Sequence, residues 1–226
     1  MNPRGKTTLP KKVFIVDDHP MMREGLAQMI GNQPDLEVCG EAGDAHEALE
    51  KIILLKPDLV LTDISLPGKN GLELIKDIKA TLPRALVLVI SMHDETFYVE
   101  RVLRAGGRGY IMKQEGGKKI AQAIRQVLDG QICVSEKMSA KILEIFSGRR
   151  GDVAKSPVEK LTDREFEVFQ LIGQGLETKQ VADKLHLSPK TIEIHRANIK
   201  AKLQLRSMTE LIRYSARWVE SQNQGA

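Results

Sequence analysis

The sequence predicts two domains: an α/β domain built on a doubly wound, five-stranded parallel sheet, and after it a small all-α domain with a helix-turn-helix. The first observation is that short runs of branched apolar residues alternate with helix-length segments over roughly the first 130 residues. The second is that only helical spacing and capping residues follow. The third is length, because 226 residues allow each half to bury its own core.

The strands of the α/β domain are predicted by apolar runs and its helices by their first and last residues. Pro20 occupies a first helical position, Asp44 is an N-cap, and Gly106 and Gly130 end two helices. Five strand-helix units in succession favour right-handed crossovers and a doubly wound sheet. The predicted strands are 13–18, 37–42, 59–63, 85–91 and 109–112, and the predicted helices are 21–30, 45–55, 72–81, 96–105 and 118–128.

The C-terminal half is predicted to be a linker followed by capped helices. A helix is expected at 136–146, and the polar, glycine-bearing segment 147–160 is expected to be flexible. Thr162 and Glu165 form a capping box, and Thr178 is expected to cap a short helix. The predicted organisation is a loose arm at 1–12, the α/β domain at 11–130, a linker with one helix at 131–160, and the helical domain at 161–222.

Composition argues against a membrane-bound or secreted protein. No apolar run approaches the roughly 20 residues that span a bilayer, and residues 1–12 are basic without an apolar signal core. Cys39 and Cys133 are far apart and lack metal-ligand spacing, which fits a reducing compartment, so a cytoplasmic protein is expected. Residues 182–206 hold six basic against two acidic side chains, a local patch that suits a polyanionic partner.

Four predicted strands end in a side chain that can take part in chemistry: Asp17 and Asp18, Asp63, Ser91, and Lys113. The carboxyl ends of parallel strands share the sheet edge at which α/β folds bind ligands. Carboxylates that converge there repel one another unless a cation is present, and Mg²⁺ suits oxygen ligands. The set predicts that Asp63 accepts a phosphoryl group while Mg²⁺ and Lys113 neutralise charge.

This pattern resembles the receiver domain of bacterial two-component response regulators, a flavodoxin-like fold, over about residues 12–130. The matching residues are Asp17, Asp18, Asp63, Pro67, Gly71, Ser91 and Lys113. The resemblance implies that a histidine kinase phosphorylates Asp63 and that the backbone carbonyl of Ser65 joins the carboxylates around Mg²⁺. It also implies that Tyr110 is a switch aromatic, which fills space when the phosphoryl group draws the Ser91 hydroxyl inward. No role is assigned to His19 or His93, and His93 is expected to face solvent.

A helix-turn-helix is predicted where Ser188 and Pro189 begin a long basic helix after a short helix and a turn. At about 100° per residue, Ile192, Ile199 and Leu203 form one stripe, which we expect to face the domain core. The opposite face is therefore free to enter a DNA major groove.

On that face, Ile194 is expected against a thymine methyl, Asn198 towards adenine, and Glu193 accepting from cytosine. The basic residues are placed to contact phosphates, which give affinity but little sequence choice. The predicted DNA-binding residues are Lys179, Lys190, Thr191, Glu193, Ile194, Ala197, Asn198, Lys200, Lys202 and Arg206.

From residue 161 to 218 the segments LTDREFEVFQLIGQG, KQVADKL and SPKTIEIHRANIKAKL resemble the LuxR-type effector domain of the NarL/FixJ class of response regulators. Glu193 stands where many relatives carry a basic or small polar residue, so the base preference does not carry over. Since one such module buries little surface, a homodimer that reads paired half-sites is expected.

The sequence as a whole predicts a DNA-binding response regulator that is not an enzyme. Phosphorylation of Asp63 by a histidine kinase is expected to switch dimerisation and binding to double-stranded DNA, and thereby transcription. One alternative is a haloacid-dehalogenase-like phosphatase, although that class has a carboxylate two residues after its nucleophile and this chain has Ser65. The other is an adaptor whose helical domain binds a protein, which would lack a steep salt dependence of DNA affinity.

Overall fold

The structure, a computed structural model, describes residues 9–146 and 157–223, and it divides into two compact units, Met1–Met138 and Ser139–Ala226. The N-terminal arm is described only from residue 9 on. Its predicted end is wrong, because Lys11 and Lys12 already belong to the first strand, where the side chain of Asp58 accepts hydrogen bonds from both residues at 2.9 Å. None of the helices within the described residues has the length and apolar character of a membrane-spanning segment.

The N-terminal unit is the predicted α/β fold. Its five parallel strands run in the order β2-β1-β3-β4-β5, the doubly wound arrangement of flavodoxin-like proteins. Every predicted element is present with bounds shifted by two residues or fewer. The elements are β1 (Lys11–Val16), α1 (Pro20–Gly31), β2 (Leu36–Ala42), α2 (Ala45–Leu55), β3 (Leu59–Thr62), α3 (Gly71–Thr81), β4 (Leu86–Ser91), α4 (Glu95–Ala105), β5 (Gly109–Met112) and α5 (Gly117–Leu128). The predicted helix at 136–146 is α6 (Glu136–Phe146), and the division between the two units falls within it, after Met138.

The core of this unit lies on both faces of the central strand β3, all four of whose residues are buried. Helices on both sides cover the sheet, so β3 carries a continuous apolar run instead of an alternating one. The predicted helix ends are also present: Pro20 lies at the first position of α1, Asp44 accepts two backbone N–H groups at the start of α2, and Gly106 takes φ 101° after α4.

The edge strand β5 has a neighbour that the sequence did not predict. Cys133 forms a parallel bridge with Gly109 and exchanges backbone hydrogen bonds of 3.0 and 2.8 Å with Arg108 and Tyr110. A Cβ on Gly109 would lie 2.5 Å from the Cys133 carbonyl oxygen, so the close approach requires glycine. The segment after α5 thus covers part of the sheet edge.

The C-terminal unit is helical, with α7 (Asp163–Gly173), α8 (Thr178–Lys184), α9 (Pro189–Lys202) and α10 (Met208–Asn223). Phe166 and Phe169 of α7 pack edge-on against Trp218 of α10, with ring centroids 5.5 and 5.6 Å apart. On α9, Ile192 and Ile199 are fully buried and Leu203 is half-buried, which confirms the predicted core stripe.

Two local predictions for this half of the chain are wrong. Residues 147–156 of the expected linker lie outside the described residues, but Pro157–Lys160 form a 3₁₀ turn in which Val158 is buried. The N-cap of α8 is Glu177, not Thr178, and the side chain of Gln180 accepts from the Glu177 N–H at 2.8 Å. Thr178 is the first residue of the helix, and its hydroxyl bonds to another helix.

Candidate functional site

Three predicted side chains meet at the carboxyl edge of the sheet, each delivered by a different strand. Lys113 Nζ, which follows β5, lies 2.6 Å from Asp17 Oδ2 after β1 and 2.6 Å from Asp63 Oδ2 after β3. All three side chains are 5% exposed or less. The strand order places β3 between β1 and β4, so Asp63 stands at the centre of the cluster.

The electrostatic state of this pocket is set by burial and by the uneven number of charges. Burial raises the pKa of Asp63, Lys113 lowers it, and Asp17 raises it, with a net shift upward. Burial alone would lower the pKa of Lys113, but Asp63 and Asp17 together hold it above its usual value. One ammonium therefore serves two buried carboxylates, and negative charge remains in the pocket.

The loop behind Asp63 is built around Gly71. The Gly71 N–H donates to the Ile64 carbonyl at 2.7 Å, and the Ile64 N–H donates to Asp63 Oδ1 at 2.6 Å. A Cβ on Gly71 would lie 2.0 Å from the Asp63 carbonyl oxygen, a distance that no side chain tolerates. Asn70 then begins α3 with a capping box to Glu73. The glycine predicted from the sequence thus allows α3 to pack directly against the backbone of Asp63.

Ser91 and Tyr110 occupy the side of the pocket formed by β4 and β5. The Ser91 side chain is buried, and it acts to lower the pKa of Asp63. Tyr110 is 2% exposed, and its hydroxyl donates to the His93 carbonyl at 2.7 Å. Burial raises the pKa of Tyr110, so its hydroxyl remains protonated and can donate this hydrogen bond. The predicted switch aromatic is therefore already inside the fold in this structure.

His93 does not face solvent, so that expectation is wrong. Its Nε2 lies 2.8 Å from the Ser65 hydroxyl, and its ring packs 5.1 Å from that of the buried Tyr98. No sequence pattern predicts this contact, because it joins the loop after β3 to the loop after β4 through side chains alone.

An acidic cluster forms the mouth of the same pocket. Ligand atoms from Asp17, Asp18, His19 and Asp63 all lie within 4.8 Å of one another. His19 Nδ1 is 2.7 Å from Asp18 Oδ1, although the histidine is 68% exposed. Carboxylate oxygens at this spacing are the donors that a hard divalent cation prefers. His19 is an addition to the predicted set.

The second candidate site is the outward face of α9. Ile194 is 54% exposed, and Glu193, Ala197 and Asn198 are exposed beside it, as the helical spacing predicts. Among the predicted DNA-binding residues around them, Lys179, Lys190 and Arg206 are exposed, and Thr191, Lys200 and Lys202 are half-buried.

Three residues of this face are engaged within the domain. Lys202 Nζ is 2.6 Å from Glu165 Oε2 of α7. This ion pair engages the ammonium group that was expected to contact a DNA phosphate. Thr191 contacts the N-cap Ser188 through its hydroxyl at 2.8 Å. Glu193 accepts a hydrogen bond from Thr178 of α8 at 2.8 Å. Periodicity placed these residues on the surface but did not reveal their partners.

A receiver-type pocket at a doubly wound sheet edge, followed by a helix-turn-helix, defines a response regulator. Comparison with known families agrees: the response regulator receiver domain matches residues 13–125, and the luxR family of bacterial regulatory proteins matches residues 159–215. The oxygen regulatory protein NreC of Staphylococcus aureus is 36% identical over 208 residues, which cover 90% of this chain and 96% of NreC. The chain belongs to the NarL/FixJ-type response regulators, which are DNA-binding transcription regulators controlled by phosphorylation.

Solved structures give the same picture. A LuxR-family two-component response regulator from Aurantimonas sp. is 32% identical with a TM-score of 0.57, covering 61% of this chain and 99% of that one. RcsB from Salmonella enterica serovar Typhimurium, bound to promoter rprA in the presence of the phosphomimetic BeF3−, is 27% identical with a TM-score of 0.58. That match covers 92% of this chain and 98% of RcsB.

Proposed function

We propose that Asp63 is the phosphoacceptor and that a histidine kinase is the donor. The observation that carries this is the convergence of Asp17, Asp63 and Lys113, with Lys113 Nζ 2.6 Å from both carboxylates. In the transfer, a carboxylate oxygen of Asp63 attacks the phosphorus of a phosphohistidine. The new O–P bond forms as the P–N bond breaks, and the imidazole leaves with the electron pair of that bond. Lys113 lies where the transferring oxygens become charged.

The acidic mouth fits a magnesium ion. Asp17, Asp18 and Asp63 supply hard oxygen donors within one small volume, and the Ser65 carbonyl is the fourth proposed ligand. When bound, Mg²⁺ supplies positive charge that stabilises the oxygens of the transferring group. The residual negative charge of the cluster, which one lysine leaves uncompensated, favours a cation over a neutral ligand.

The same contacts support a switch. A phosphoryl group on Asp63 adds charge and acceptor oxygens beside the Ser91 hydroxyl and Lys113. Ser91 Oγ also lies 3.4 Å from the His93 N–H, and the His93 carbonyl accepts from Tyr110. A shift of Ser91 therefore changes the bonding of the loop that precedes α4. We propose that Tyr110 holds this loop in the state that phosphorylation favours, since only a difference in affinity between states moves their populations.

On the output side, we propose that the exposed face of α9 enters the DNA major groove in a phosphorylation-dependent homodimer. The side chains proposed to contact bases and phosphates are Lys179, Lys190, Thr191, Ile194, Ala197, Asn198, Lys200 and Arg206. Lys202 is left out of this set because it pairs with Glu165. RcsB dimers bound to DNA support both the partner and the assembly.

Acyl-phosphate labelling tests the receiver. The chain is incubated with Mg²⁺ and a phosphorylated kinase or acetyl phosphate, and the hydroxylamine-labile phosphate is measured. We expect stoichiometric labelling that Asp63→Asn abolishes. The matched control is Asp44→Asn, because asparagine caps a helix as well as aspartate does and leaves the pocket untouched. Equal labelling of the Asp63→Asn chain would refute the assignment.

Salt dependence tests the interface. Affinity for duplex DNA is expected to fall steeply with salt, with a slope of about −0.9 per phosphate contacted. Lys190→Ala is expected to reduce that slope by roughly one contact. Lys202→Ala serves as the matched comparison, and its effect on the slope is expected to be smaller because Glu165 already pairs with Lys202. A flat salt dependence of the labelled chain would favour the protein-binding adaptor.

A further inference from the structure

Four side chains join three helices next to the DNA-binding face. Thr178 of α8 donates to Glu193 Oε1 of α9 at 2.8 Å. The Arg196 guanidinium lies one helical turn further along α9. Its Nη1 donates to the Thr178 hydroxyl and, at 3.2 Å, to Glu193 Oε1. Its Nε lies 3.3 Å from the sulfur of Met208 at the start of α10. Glu193 and Arg196 thus connect the two helices of the helix-turn-helix.

The exposure of these side chains shows how Glu193 is held. Arg196 is 14% exposed, whereas Glu193 is 54% exposed. The carboxylate of Glu193 is therefore held by the largely buried Arg196 of α9 and by Thr178 of α8, although Glu193 itself lies on the outward face of α9. Both donors bind the same atom, Glu193 Oε1, so they set the orientation of the carboxylate, and a rotation of the side chain that carried Oε1 towards a cytosine amino group would break both hydrogen bonds. The Arg196 guanidinium, which is only 14% exposed, would then lose its charged partner.

We propose that Glu193 is a positioning residue, not a base reader. It orients Thr178 and Arg196 and so fixes the angle at which α9 stands on α8, and base preference then falls to Ile194, Ala197 and Asn198. This inference rests on the proposed DNA binding. It also accounts for an acidic residue on a face that must approach phosphates, because Arg196 neutralises Glu193 within the protein.

Four variants of the full chain separate the two roles. Glu193→Ala removes the acceptor and the charge. Glu193→Gln keeps an oxygen that can accept from Thr178 and Arg196 but removes the charge. Thr178→Val removes the donor from the opposite helix while keeping the shape of the side chain. Asn198→Ala is the matched control for a residue that reads a base.

The experiment selects sequences from a pool of random duplex DNA with the labelled full chain and then measures the affinity for the enriched duplex and its single base-pair changes. We expect Glu193→Ala and Thr178→Val each to weaken binding by about fivefold, the loss of one hydrogen bond, on all duplexes alike. The double variant is expected to bind no more weakly than either single one, since both remove the same contact. Glu193→Gln is expected to restore affinity with an unchanged motif, whereas Asn198→Ala changes the motif.

The outcomes distinguish this inference from the proposed function. A wild-type chain that enriches no sequence would overturn DNA recognition itself. A motif that changes in Glu193→Ala and Glu193→Gln, but not in Thr178→Val, would overturn only the positioning role and restore Glu193 as a base reader. Additive losses in the double variant would also overturn it, because they would show that Thr178 and Glu193 act separately.

Discussion

Two carboxylates, one in each compact unit, lie at the same distance from a lysine, yet their pKa values move in opposite directions. Lys113 Nζ is 2.6 Å from Asp63, and Lys202 Nζ is 2.6 Å from Glu165. Burial raises the pKa of Asp63, and Lys113, which also serves Asp17, does not reverse the shift. Burial also acts to raise the pKa of Glu165, but Lys202 and a backbone N–H outweigh it and the pKa is lowered.

The difference teaches that the distance within an ion pair does not decide its role. Within the part of the chain that the structure describes, Lys202 pairs with Glu165 alone, and Glu165 completes the capping box of α7. The charge of Glu165 is therefore compensated, and this ion pair has a structural role. Asp63 shares its lysine, so its pocket holds more negative than positive charge. Such an imbalance lowers stability but prepares the site for a cation and a transferred group.

The largest expected effect concerns the backbone that supports the imbalanced site. Gly71→Ala places a Cβ 2.0 Å from the Asp63 carbonyl oxygen, so either α3 or the loop after β3 must move. We expect a loss of roughly 3 kcal/mol in the free energy of unfolding, measured by urea denaturation, together with loss of acyl-phosphate labelling. The control is Gly25→Ala, whose Cβ meets nothing within 4 Å in α1. Equal stability of both variants would show that this close approach is not needed.

The second prediction compares the two lysines directly. Lys113→Met leaves two buried carboxylates without a cation, and we expect a loss of about 2 kcal/mol in stability, part of which protonation of one carboxylate relieves. Lys202→Met breaks the partly exposed pair and is expected to cost about 1 kcal/mol. Thermal unfolding with and without Mg²⁺ checks the origin of the losses.

Magnesium separates these two variants further. It is expected to stabilise the Lys113→Met chain more than the wild type, because the ion replaces the missing positive charge. The Lys202→Met chain is expected to gain no more than the wild type does. If Mg²⁺ stabilised both lysine variants equally, the contrast between the two carboxylates would have to be abandoned.

The pocket residues that the sequence predicted are those whose positions follow from the arrangement of the strands. Asp17, Asp63 and Lys113 each follow a buried strand, and parallel strands bring their carboxyl ends to one edge whatever the side chains do. The contact between His93 and Ser65 was missed because two loops must approach before it exists. No periodicity in the sequence encodes that approach.

The same division holds for the helical unit. Helical spacing correctly placed Ile192 in the core and Ile194 on the surface. Thr178 was mistaken for an N-cap because threonine favours that position, but its hydroxyl bonds to Glu193, which is 15 residues further along the chain. Local residue preferences predict that helix α8 forms, whereas the hydrogen bond of its first residue, Thr178, depends on how α8 and α9 pack.

The smallest expected effect is a pair of opposite pH dependences. The pKa of Asp63 is raised in the folded state, so wild-type stability falls as pH rises from the unfolded value, near 3.8, through the folded one. The Asp63→Asn variant lacks this titrating group, so its stability relative to that of the wild type should increase as pH rises in metal-free buffer. The pKa of Glu165 is lowered, so its contribution is present above the unfolded value, near 4.5, and is lost as pH falls through the folded one.

Glu165→Gln keeps the capping box, since glutamine also suits that position, and should cost about 1 kcal/mol at neutral pH and almost nothing in acid. Urea denaturation of both variants and the wild type across the acidic range measures the two trends. Trends of the same sign would mean that Lys113 compensates Asp63 as fully as Lys202 compensates Glu165. The receiver pocket would then have no charge imbalance with which to attract a cation.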